Sequence, residues 1–68
     1  MNVLLKNNSS AAVDVELIDQ YGGNFTATID GGMSQNQSLQ SSSQIKVGGN
    51  VIYKVSTNDE GQEIVIAE

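Results

Sequence analysis

The chain has neither cysteine nor histidine in its 68 residues. Disulfides and thiolate metal sites are therefore excluded, and the commonest zinc and copper ligand is missing. The usual general base and the strongest nucleophile of enzyme sites are missing with them. Proline is absent, and no window repeats apolar residues at three and four, so no helix is expected. Tryptophan is absent, which counts against a sugar-stacking module. The basic residues are three lysines against eight acids, a net charge of −5, with no arginine. Arginine is the preferred residue for phosphate and base-edge contacts. An acidic, arginine-free chain is thus expected to bind neither nucleic acid directly nor an anionic membrane. The opening MNVLLKNNSS has no basic region and no long apolar run, so no signal peptide or transmembrane helix is expected. Starting at Met1, the chain reads as a complete product of one domain, residues 1–68. Without a secretion signal, the four Asn-x-Ser/Thr triplets at Asn7, Asn8, Asn24 and Asn36 read as chance in an Asn/Ser-rich chain.

What the chain does have is alternation. In AVDVELIDQYGGNFTATID, residues 12–30, Val13, Val15 and Leu17 alternate with Asp14 and Glu16, and Phe25, Ala27 and Ile29 alternate with Thr26 and Thr28. A two-residue period marks strands with one buried and one wet face. Folding the stretch about Tyr21 sets Leu17 opposite Phe25, Val15 opposite Ala27 and Val13 opposite Ile29. Gly22 and Gly23 supply the backbone freedom of a short loop. A strand over Asn2–Lys6 precedes this hairpin. After it, 33–43 (MSQNQSLQSSS) is nearly all serine, glutamine and asparagine, and reads as a polar loop or an edge strand with Leu39 as its core residue. A second hairpin pairs Gln44–Val47 with Val51–Thr57. A three-residue Gly48-Gly49-Asn50 loop sets Val47 opposite Val51 and Ile45 opposite Tyr53. The turn Asn58–Gly61 then sets Val55 opposite Ile64 and Tyr53 opposite Ile66. Six to seven short strands with turns between them predict an all-β fold, a small antiparallel sandwich or barrel, with an immunoglobulin-like order as one form.

Catalysis is not expected. Lys46 and Lys54 fall opposite the core face, where nothing would depress a lysine pKa for a serine–lysine pair. The oxygen-rich Asn58-Asp59-Glu60-Gly61 lacks the alternate-acid spacing of a calcium loop, so no metal or cofactor is expected. The candidate residues are instead contacts. Val3-Leu4-Leu5 and Ile64-Val65-Ile66 are unbroken apolar triplets, more than one small core requires, and Leu39 and the loop-tip Tyr21 join them. A chain this short buries only about 60% of its unfolded surface, so a partner or copies of itself would add stability. These features predict a non-enzymatic structural protein docking on a larger assembly, in concrete form a phage or virus capsid decoration (cement) protein bound to the shell. It would reside in the virion or in the cytoplasm of an infected cell. The alternative is a small acidic phage-type inhibitor that covers a basic nucleic-acid channel of a host enzyme with Asp14, Glu16, Asp19, Asp59 and Glu60. Asp14 and Glu16 lie about 6.8 Å apart on a strand, close to the spacing of phosphates. Acids gathered on one face would favour the inhibitor; an exposed apolar strip beside an open strand edge would favour assembly.

Overall fold

Every residue from 1 to 68 is described by a computed structural model, which contains seven strands and no helix. They are β1 (Asn2–Asn7), β2 (Val13–Ile18), β3 (Asn24–Ile29), β4 (Ser34–Ser38), β5 (Gln44–Val47), β6 (Asn50–Lys54) and β7 (Glu63–Ala67). They form a three-stranded sheet of order β4-β1-β7 and a four-stranded sheet of order β3-β2-β5-β6. The architecture is a small open β-sandwich with no barrel closure, 31 × 23 × 15 Å across. The order is not the immunoglobulin one, in which the first two strands are neighbours in one sheet; here β1 and β2 lie in different sheets.

The central hairpin has the register that alternation implies: Leu17 faces Phe25, Val15 faces Ala27 and Val13 faces Ile29. Asp19 organises its loop, accepting the Tyr21 and Gly23 N–H groups on Oδ1 at 2.9 and 2.7 Å. The 33–43 segment divides. Ser34–Ser38 is an edge strand against β1, and Leu39 beyond it enters the core.

Two pairings differ from the sequence expectation. The β5–β6 turn has two residues, Gly48 and Gly49, both at positive φ (60° and 83°), the geometry of a tight hairpin. Val47 therefore faces Asn50, and Val51 faces Lys46 instead of Val47. A bulge at Ile52 restores Tyr53 to its place opposite Ile45. The second difference is β7, which does not fold back on β6. It crosses to the other sheet and pairs in parallel with β1, Leu5 beside Ile64, so all pairings but this one are antiparallel. The connection 55–62 is long enough to span the roughly 10 Å between packed sheets.

The core between the sheets comprises Val3, Leu5, Val15, Leu17, Ile29, Leu39, Ile45, Val55, Ile64 and Ile66. One end is tied by Asn7, whose side chain is fully buried and fully bonded. Its amide donates to the Ala11 and Ile29 carbonyls at 2.8 Å each, and its Oδ1 accepts from the Ser9 N–H and hydroxyl.

Candidate functional site

The apolar triplets are core strands in which only the middle residue turns away. Val3, Leu5, Ile64 and Ile66 are buried between the sheets, as is Leu39. They are withdrawn as partner contacts, because strand alternation and the second sheet already cover them. Leu4 is half-buried on the outer face of the three-stranded sheet, and Val65 is 39% exposed on the same face. Lys6 and Glu63 lie between and beside them, 3.8 Å apart. Tyr21 does not fold back over Phe25 or Leu17; it stands 81% exposed at the hairpin tip.

The largest departure lies at β6. This strand is one of the two edges of the four-stranded sheet, the other being β3, and it exposes two adjacent aliphatic residues, Val51 (52%) and Ile52 (41%). A three-residue loop would turn Val51 inward. The consecutive glycines were the signal for the shorter turn, which rotates Val51 to the outer face and leaves Ile52 as the bulge residue. Edge strands ordinarily carry charge, proline or a cover against pairing. Here the only charge is Lys54 at one end.

The acids do not gather. Asp14 and Glu16 share the outer face of the four-stranded sheet. Thr28 donates to Asp14 at 2.7 Å, Asn24 donates to Glu16 at 2.6 Å, and Lys46 lies 3.8 Å from Glu16. Asp19 is engaged within its own loop. Asp59 is buried: it accepts the Tyr53 hydroxyl at 2.6 Å and the Ser56 N–H at 2.7 Å. The Tyr53 bond, and then the Ser56 N–H, hold the Asp59 carboxyl below its ordinary pKa; donating to Asp59 and burial raise that of Tyr53. Glu60 accepts from the Asn2 N–H at 3.3 Å. Asp59 and Glu60 are thus fasteners of the β6–β7 crossing.

One cleft of about 250 Å³ opens between the β2–β3 hairpin and the segment after β4, lined by Leu17, Phe25, Leu39 and Ser43 among others. The Ser43 hydroxyl is buried there without a hydrogen-bond partner. No group of three or more acids, histidines or cysteines is placed to hold a metal ion. No family model, curated protein or solved structure matched the chain.

Proposed function

We propose that this chain is a non-enzymatic structural protein that docks on a larger protein assembly through sheet-edge pairing, most concretely as a decoration or cement protein on the shell of a virus or phage. The observation that carries the reading is the open β6 edge with Val51 and Ile52 exposed beside unpaired backbone groups. An extended segment of a partner can add a strand there, with main-chain hydrogen bonds supplying affinity and the aliphatic pair supplying buried area. The dispersal and internal bonding of the acids weigh against the inhibitor reading, which needs them free and on one side. Within this proposal the protein resides in the virion or the cytoplasm of an infected cell, with protein partners only.

The test is sedimentation of the untagged protein in lysate of its own source. Co-sedimentation with megadalton particles through a salt wash is the expected result, since screening removes exposed charge contacts but not an apolar strand junction. Val51→Lys with Ile52→Lys should abolish it, and Asp14→Lys with Glu16→Lys should not. Loss through the acidic pair alone, with the fold intact, would instead support the inhibitor. Migration free near monomer mass would reject the cement reading.

A further inference from the structure

The β6 edge has a complement on the same molecule. In an antiparallel ladder, successive residues turn their N–H and C=O groups alternately toward and away from the neighbour. Val55 faces β5, since its N–H donates to Ser43 and its carbonyl accepts from Ser42, both at 2.8 Å. Tyr53, paired with Ile45, faces the same way, so Lys54 between them turns its backbone groups outward, while the bulge at Ile52 interrupts the alternation. On β7 the Gln62 carbonyl accepts from Leu4 at 2.9 Å, so Gln62 and Ile64 face β1. Glu63 and Val65 therefore face the open side.

We propose that two copies of this chain associate by antiparallel pairing of β6 of one copy with β7 of the other, with Lys54 opposite Glu63. In this register Lys54 and Glu63 both face outward on their strands, so they can exchange two backbone hydrogen bonds. The faces also match. Lys54 and Glu63 lie on the outer faces of their sheets, as does Val65, while Tyr53 and Ile64 face the cores. Ile52 and Val65, 41% and 39% exposed, are brought to the same junction. Charge selects the register. Lys6 and Lys46 already have carboxylate partners and Lys54 has none, while Glu63 remains half-exposed beside Lys6. Sliding the strands by two residues takes Glu63 away from Lys54. Pairing β6 with a second β6 supplies no carboxylate. A copy joined this way still offers its own β7, so the assembly either closes through a second junction or extends. The inference rests on β6 being a docking edge and names a second copy as its occupant.

Sedimentation equilibrium of the purified chain from micromolar to millimolar concentration tests it. The mean mass should rise above that of the monomer with concentration. Lys54→Glu and Glu63→Lys should each weaken association by roughly fivefold to tenfold, and the double exchange should restore it. Circular dichroism of each variant controls for the fold. A monomer throughout, single reversals without effect, or a double exchange without recovery would each overturn the pairing. The same samples separate this inference from the function it rests on. A purified monomer that still pellets with particles rejects the pairing alone, whereas a self-associating chain that never pellets rejects the cement reading alone.

Discussion

Asp59 shows how one side chain can look functional and be structural. Its carboxylate joins Tyr53 at the end of β6 to Ser56 in the crossing, and its pKa is lowered while that of Tyr53 is raised. Protonating Asp59 or ionising Tyr53 weakens the same bond. The Asp59 contribution is complete above the ordinary carboxylate pKa of about 4 and is lost as pH falls through its lower folded value. The Tyr53 contribution is complete below the ordinary tyrosine pKa of about 10 and is lost as pH rises through its higher folded value. Urea midpoints should therefore fall at both extremes. Tyr53→Phe should flatten the alkaline decline, and an unchanged alkaline limb in that variant would refute this account. Asn7 offers a sharper case. Asn7→Ala strands the buried Ile29 carbonyl and removes the acceptor of the Ser9 N–H, so a loss of about 2 kcal/mol is expected in urea unfolding. Neither role was legible in the sequence, because both depend on partners brought from elsewhere in the fold.

Turns decide which face each strand shows. The paired positive φ values of Gly48 and Gly49 make a tight turn that any other pair of L-residues except those tolerant of left-handed geometry would strain. Gly48→Ala with Gly49→Ala should cost about 2–4 kcal/mol, at roughly 1–2 per residue forced left-handed, whereas Gly48→Asn alone should cost less. Thermal unfolding of the two variants checks the order. Gly31 is constrained differently. A Cβ there would lie 2.5 Å from the Ser10 backbone carbon, which no side-chain movement can relieve. Gly31→Ala should displace the β1–β2 connection and lower the melting temperature, and a variant as stable as the parent would contradict that packing.

The whole molecule is a thin sandwich with little stability to spare. At roughly 0.05–0.15 kcal/mol per residue, a domain of this length is worth only about 3–10 kcal/mol. Leu5→Ala, which removes a fully buried side chain at a cost of about 2–5 kcal/mol, should therefore remove a large share of that stability and lower the urea midpoint sharply by circular dichroism. Val51→Lys with Ile52→Lys touches only exposed positions and should leave the unfolding midpoint nearly unchanged while removing docking. The contrast separates core from contact, which the apolar triplets had merged.

Alternation and glycine placement were enough to determine the all-β class and the central hairpin with its register, because each depends on neighbours within a few residues. By contrast, 33–43 reads equally as a loop or an edge strand, and pairing with β1 decides it for Ser34–Ser38. The partner of β7 was a different matter. Ile64 and Ile66 would face a core equally well beside β6 or beside β1, and alternation records the buried face without recording the neighbour. Only the tertiary structure chose. Crossing to β1 completes the second sheet over the first, and it leaves β6 and its two aliphatic residues on an open edge. The feature that carries the functional reading is thus a consequence of long-range strand pairing, which no local pattern encodes.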